Sequence, residues 1–250
     1  MNRSHIVGML SVLFCIGAAA PLAAQHPDFS GAWTTYRGGG GAGGGAGAVS
    51  APQGDVKLTQ KAQAARQDYL AVTKGTNYAP GNACVGYGMP ASVLGSGGYP
   101  MEIIQRPEQL FVIYEAHSEM RRIYVGAAAG DPAKAFPERN GYSKARWEGD
   151  RLIVETTRLK AQVDSRYPHS DQATIREVYY LDKPLADGTR VLVNELTMTD
   201  PAWLAEPFKT VKRWQEMKDY RVVSYECSEP KWLDELEGLY KKAGLTMVQQ

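Results

Sequence analysis

The sequence predicts a mainly β fold: an antiparallel barrel of about eight to ten strands with one helix on the N-terminal side and one at the C-terminus. Three observations lead there. From Met101 onward the chain is a succession of segments rich in Val, Ile, Tyr and Phe: MEIIQ, QLFVIYEA, MRRIYVG, YSKARW, RLIVETTRL, ATIREVYYL, RVLVNELTMT, FKTVKRWQEM and YRVVSYEC. The connections between them are mostly short, which makes neighbours antiparallel, because a parallel pair needs a long crossover. So many antiparallel strands must also hide their edges, which favours a closed barrel over an open sheet.

The first residues stand apart from this core. Arg3 precedes the apolar IVGMLSVLFCIGAAAPLAA, which ends in small residues, so residues 1–24 are expected to be a secretory signal peptide. The apolar part is short and broken by Gly17 and Pro21, unlike a membrane anchor, and bulky Phe14 before Cys15 argues against lipid attachment there. No later segment approaches the ~20 apolar residues of a membrane span. Residues 25–250 are then one periplasmic or secreted domain. The chain carries 28 Lys+Arg and 27 Asp+Glu. Losing residues 1–24 removes one arginine and no acid, which leaves a neutral protein without the basic excess of a nucleic-acid binder. Export also leaves Cys84 and Cys227, an even pair for an oxidising compartment, so a disulfide is expected. Closing so long a loop is worth about 5 kcal/mol in the chain-entropy model. Neither cysteine belongs to a CxxC or zinc-like cluster, and no metal or other cofactor is expected.

The elements follow in order. DFSGAWTTY, Asp28 to Tyr36, reads as a first strand anchored by Trp33. Residues 38–57 are too rich in glycine to offset their backbone entropy by burial and read as a flexible surface loop. They lack GxxxxGK[ST] and no helix directly follows, so a phosphate cradle is a poor reading. LTQKAQAARQDYLAVTKG predicts a helix capped by Thr59, with Ala62, Ala65, Tyr69 and Val72 at helical spacing and Lys74-Gly75 as its stop. A Gly/Pro-rich loop containing Cys84 runs from Asn77 to Tyr99. Turn signals then fall at Arg106-Pro107-Glu108, His117-Ser118-Glu119, Glu148-Gly149-Asp150, Ala186-Asp187-Gly188 and Lys218-Asp219. The last element is a helix over 230–244, with Pro230 in its first turn and Gly244 at its stop. Its apolar stripe of Trp232, Leu233, Leu236, Leu239 and Tyr240 is expected to pack against the barrel.

The stretch Tyr99 to Gly126 reads as buried strand yet carries Glu102, Glu115, His117, Arg121 and Arg122. Strand parity puts Phe111, Ile113, Glu115 and His117 on one face and Met120, Arg122 and Tyr124 on one face, with Arg121 opposite. The strand around Leu110–Tyr114 is apolar on both faces, and an unpaired charge buried there costs several kcal/mol. One reading is a ladder of ion pairs joining Glu102 or Glu115 to Arg121 or Arg122. The other is a pocket of carboxylate, guanidinium, imidazole and phenol. His117 sits in a turn and reads as exposed, whereas His169, in SRYPHSDQ before a long strand, can reach over a barrel mouth. Templates for an activated serine, HExxH zinc and dinucleotide binding are absent. Acid–base chemistry remains. Glu115 or His169 would take a proton, Tyr124 would donate one, and Arg122 would stabilise developing negative charge. Glu102, Arg121, Tyr142 and Trp147 would line the ligand.

DFSGAW, YPMEIIQRPEQLFVIYE, RRIYV, ARWEGDRLIVET, PHS before a strand, and YEC together resemble a group of secreted bacterial proteins with a lipocalin-like or calycin-like barrel. The likeness covers most of 28–229. The glycine-rich insert, the C-terminal helix and VGAAAGDPAKAFPERNG depart from the group, whose members tend to carry a polar Asp-Gly-Arg turn after the tyrosine. The resemblance implies a calycin-like barrel and names no reaction. The expected function is thus a cofactor-independent acid–base enzyme, of lyase or isomerase type, acting on a small aromatic or apolar molecule. The alternative is a non-catalytic carrier of the same fold.

Overall fold

The computed structural model describes residues 26–36, 56–76, 81–95, 98–163 and 166–245. The predicted signal peptide, and the glycine-rich loop up to residue 55, lie outside them. Nine strands close into one barrel in sequence order: β1 (Gly31–Thr35), β2 (Met101–Arg106), β3 (Gln109–Tyr114), β4 (Glu119–Val125), β5 (Tyr142–Glu148), β6 (Arg151–Thr157), β7 (Thr174–Asp182), β8 (Val191–Thr199) and β9 (Phe208–Met217), with β9 returning to β1.

The barrel is mixed, which corrects the purely antiparallel expectation. β4 and β5 pair in parallel, Ile123 beside Ser143 and Val125 beside Ala145, while every other neighbour is antiparallel. The reason is arithmetic. Strand direction cannot alternate around a closed ring with an odd number of members, so nine strands need a parallel junction. The chain places it where the connection is long enough for a crossover, in the 126–141 stretch with its 3-10 turns at Gly126–Ala129 and Pro132–Lys134. That crossover re-enters β5 at Gly141, held at φ 64° and packed so closely that a Cβ would lie 2.6 Å from the Thr157 carbonyl oxygen.

YRVVSYEC forms no tenth strand among the described residues. Once β1 pairs with β9, from Ala32 opposite Met217 to Thr35 opposite Trp214, no free edge remains for a strand after the turn at Asp219. Residues 220–227 run instead across one barrel end.

Thr59 caps α1 (Gln60–Thr73) as expected, its hydroxyl accepting from the Ala62 amide at 3.4 Å. The predicted stripe is buried only at its start: Ala62 is buried, Ala65 and Tyr69 half-buried, and Val72 exposed. Within the loop expected from Asn77 to Tyr99, the short α2 (Ala91–Leu94) is wholly buried. Its Ser92 hydroxyl donates to Glu119 at 2.8 Å, which seats it on the barrel end where β4 begins. The terminal helix α3 (Ser228–Lys242) forms, and Gly244 follows it at φ 69°. Its stripe packs only in part, for Leu233, Leu236 and Tyr240 are half-buried while Trp232 and Leu239 are 51% and 60% exposed.

One inward-facing register runs round the ring. Trp33 opposes Met101, Ile103 opposes Val112, and Val112 opposes Arg121. Ser143 opposes Thr156, Thr156 opposes Ile175, Tyr179 opposes Asn194, Asn194 opposes Lys212, and Trp214 opposes Thr35. Apolar side chains fill both ends of this interior. Phe29, Leu110, Leu152 and Leu192 lie toward the β2–β3 hairpin, and Met89, Val93, Met198 and Phe208 toward the opposite end. A polar layer crosses the middle.

Candidate functional site

The polar layer is built around Arg121. Its backbone belongs to β4, and its guanidinium runs inward past β5 and β6 to reach β7. Nε donates to Ser143 Oγ at 3.1 Å, and Nη2 donates to Thr156 Oγ1 at 2.8 Å. Nη1 donates to Glu177 Oε1 at 3.1 Å, and Nη2 pairs with Glu177 Oε2. Both partners are fully buried. Tyr179 Oη and Asn194 Nδ2 each donate to Glu177 Oε1 at 2.8 Å, so the carboxylate accepts from three residues. Burial opposes the charge on Arg121, yet the adjacent carboxylate outweighs it and holds the guanidinium above its ordinary pKa. Burial, and then the Glu177 charge, keep Tyr179 protonated. Tyr114, pushed up by burial as well, stands beside this pair.

Three groups on the inward face have hydrogen-bonding capacity that the described residues do not meet. Tyr114 Oη and Asn194 Oδ1 are buried without a hydrogen-bond partner. The amide orientation of Asn194 is not arbitrary, because only Nδ2 can donate to the Glu177 carboxylate, which leaves Oδ1 as the free acceptor. Lys212, directly across the register, donates only to Thr35 Oγ1, at 3.2 Å, and burial lowers its pKa. Buried polar groups of this kind are normally satisfied by protein, ordered water or ligand.

A second cluster stands on the barrel end at the β3–β4 connection. His117 and Ser118 adopt left-handed conformations, φ 61° and 47°. Strain of that kind in a non-glycine turn persists only when the surroundings over-determine it, and here they do. The His117 ring meets Tyr87 and Tyr225 edge-on at 4.9 and 4.8 Å, and its Nδ1 is buried without a partner. Glu115 accepts from Tyr220 Oη at 2.6 Å and the Val223 amide at 3.3 Å. Glu119 accepts from the Gly88 amide, Ser92 Oγ and Asn140 Nδ2 at 2.8–2.9 Å. The expected disulfide closes the cluster: Cys84 and Cys227 are bonded, with Cα atoms 5.5 Å apart. His117 is thus half-buried rather than the exposed turn residue of the sequence reading. Burial lowers its pKa, partly opposed by the charge of Glu119. A folded-state pKa below the unfolded value of about 6.5 means that the unfolded chain takes up the proton first. Stability should be full above about pH 6.5 and fall as the pH drops through the folded value. The drop in melting temperature between pH 7.5 and 5.5 is therefore expected to be smaller in His117→Asn, which tolerates the left-handed backbone.

The sequence-predicted residues are dispersed over these features. Arg122 and Tyr124 are together, but on the outer wall: the Arg122 guanidinium lies over Phe111 at 5.0 Å and donates to Tyr124 Oη at 3.3 Å, and Tyr142 stacks on Tyr124 at 5.2 Å. Glu102 opposes Ile113 on that outer face. Glu115 is at the barrel end. His169 is fully buried, with Nδ1 2.9 Å from the Tyr167 carbonyl and Nε2 unpartnered. Trp147 stacks on His26 at 4.4 Å at the other end. The four proposed catalytic groups therefore do not converge. The ion-pair ladder is corrected too. Arg121 joins Glu177 across the interior rather than Glu102 or Glu115 along neighbouring strands, because inward parity puts it out of their reach. Of the predicted ligand residues, only Arg121 belongs to the polar layer. The unanticipated members are Glu177, Asn194, Lys212, Ser143 and Thr156. Their signal was Asn194 and Lys212 at alternating positions among Leu192, Leu196, Met198, Phe208 and Trp214.

Beside the barrel, a hollow of about 420 Å³ is lined by Val56, Lys57, Leu58, Gln63, Arg66 and Ala205. Among the described residues, no group of three or more His, Cys, Asp or Glu side chains is placed to hold a metal, and no helix is long and apolar enough to cross a membrane. No family model matches the chain, and no curated protein does.

Proposed function

We propose that this is an exported, calycin-like binding barrel that takes a small aromatic or apolar molecule, polar head inward, against the layer of Asn194, Lys212 and Tyr114. The observation that carries the reading is the unmet hydrogen-bonding capacity of Asn194 Oδ1 and Lys212 Nζ at directly opposed inward positions. Trp33, Leu192 and Trp214 on the same face offer an apolar surround. A disulfide suits the periplasm or the exterior, where it persists.

Incubating the mature protein with small aromatic acids, alcohols and aldehydes, followed by native mass spectrometry and recovery of the ligand, tests this. Retention of an unchanged ligand with a raised melting temperature, both lost in Asn194→Leu, is the expected result. Equal retention by Asn194→Leu would place the ligand elsewhere and end the reading.

A second reading, a cofactor-independent lyase or isomerase, draws on the barrel end. A neutral imidazole at His117, with the Glu115 carboxylate two residues away, is the equipment of proton transfer. Chemical conversion of a ligand in the same assay, abolished by His117→Asn, would favour it.

A further inference from the structure

We propose that Lys212 captures a carbonyl group, so that the barrel's ligand is an aldehyde or ketone held as an imine. The inference rests on the binding reading above.

The carboxylates on the inward face are already engaged: Glu177 by Arg121, Tyr179 and Asn194, Glu119 by Gly88, Ser92 and Asn140, and Glu216 by Arg190 at 2.6 Å. Among the described residues, Lys212 has no ion-pair partner. A buried ammonium without a counter-ion is costly, and the amine escapes the cost by giving up its proton. Burial accordingly favours the neutral form, which is the nucleophile. Arg121 cannot follow that route, since a guanidinium does not deprotonate in proteins. Lys212 Nζ is left with the Thr35 hydroxyl, and the Trp214 ring 5.9 Å away, in place of a carboxylate.

The step balances without an oxidant or a reductant. The Nζ lone pair bonds to the carbonyl carbon while the C=O π pair moves to oxygen. The nitrogen loses a proton and the oxygen gains one, giving a carbinolamine. Protonation of that hydroxyl lets it leave as water as the nitrogen pair forms C=N. The product is a protonated imine plus one water. Its single N–H needs an acceptor, and two are in place: Thr35 Oγ1, which already accepts from Nζ, and Asn194 Oδ1, directly opposite and unpartnered.

The test uses the mature protein with benzaldehyde and cinnamaldehyde at pH 7 in the presence of sodium cyanoborohydride, which reduces the imine to a stable secondary amine. Intact mass followed by peptide mapping should give a single early adduct on Lys212. It should form before any adduct on the surface lysines, because burial favours the neutral amine at Lys212. Lys212→Met removes a buried amine and should fold at least as well as the parent. Lys212→Arg keeps a cation that cannot form an imine. Loss of the early adduct in both supports the proposal. Adducts spread evenly over the lysines, or early labelling that persists in Lys212→Met, overturn it. Benzyl alcohol separates the two claims. If it raises the melting temperature as the aldehydes do while no Lys212 adduct forms, the barrel binds ligands and the imine is wrong. If neither alcohol nor aldehyde binds or reacts, both claims fall.

Discussion

Glu177→Ala is expected to cost about 3–5 kcal/mol, the range for removing one partner of a buried ion pair. Folded domains are stable by about 5–15 kcal/mol, so the loss is a large fraction of the total. The cost has two parts. The Arg121 guanidinium is left fully buried without its carboxylate, and Tyr179 Oη and Asn194 Nδ2 lose their acceptor. Ser143 and Thr156 still accept from Arg121, but neutral hydroxyls do not compensate a buried charge. The reverse change, Arg121→Met, should be milder. The orphaned Glu177 keeps two donors, whereas an orphaned Arg121 keeps only neutral hydroxyl acceptors. The double variant Arg121→Met/Glu177→Leu should recover much of the loss, because a well-packed apolar pair often replaces a buried ion pair at little cost. Denaturant unfolding of the four proteins, followed by circular dichroism, gives the comparison. A Glu177→Ala loss below about 1 kcal/mol, the centre of ordinary point-mutant effects, would mean that the pair is hydrated and the interior is not as dry as described.

This asymmetry between the partners also shows what could be read from sequence. Alternation and turn chemistry located all nine strands, because both are local: Gly149 at φ 62° makes the β5–β6 turn it predicts, and Thr59 caps α1. The partner of Arg121 was not local. Glu177 lies 56 residues away, and nothing within either strand says which neighbour across a closed interior will meet it. The outer wall misled for a related reason. β3 is apolar on both faces, so parity within it could not tell inside from outside. Arg122 and Tyr124 looked as suited to a pocket as Arg121, yet Arg122 opposes Phe111 on the outer face while Arg121 opposes Val112 inside. The parallel junction was written in the length of the 126–141 connection, but its necessity appears only once β9 closes on β1. Residues 220–227 failed as a strand on the same account: their β propensity is real, but the edge they would have used was taken.

Cleaving Cys84–Cys227 is the other change with a large expected effect, about 2–4 kcal/mol, the typical contribution of a disulfide. The bond spans a separation of 143 residues, so most of its effect in the chain-entropy picture falls on the unfolded chain, which regains the freedom of a very long loop. The folded side loses something as well, and it is confined to one place. Residues 220–227 have no strand pairing to hold them. Apart from the disulfide they are tied by the Tyr220–Glu115 and Val223–Glu115 hydrogen bonds, the Tyr225 amide to Ser118 Oγ at 3.0 Å, and the edge contacts of Tyr225 with Tyr99 and His117. Reduction should therefore act twice. The global unfolding midpoint should fall, and amides of 220–245 should lose hydrogen-exchange protection under conditions where the barrel strands keep theirs. Melting curves with and without reductant, with thiol labelling to confirm cleavage, read the first effect, and Cys84→Ser/Cys227→Ser repeats it without reductant. Equal midpoints after proven cleavage would show that the bond constrains little. The two effects also couple to pH. Once Tyr225 no longer covers the imidazole, His117 regains water and its pKa rises toward the unfolded value. The acid sensitivity that this histidine gives the oxidised protein should then fade in the reduced one, so a pH-dependent melting difference that survives reduction unchanged would assign that sensitivity to some other group.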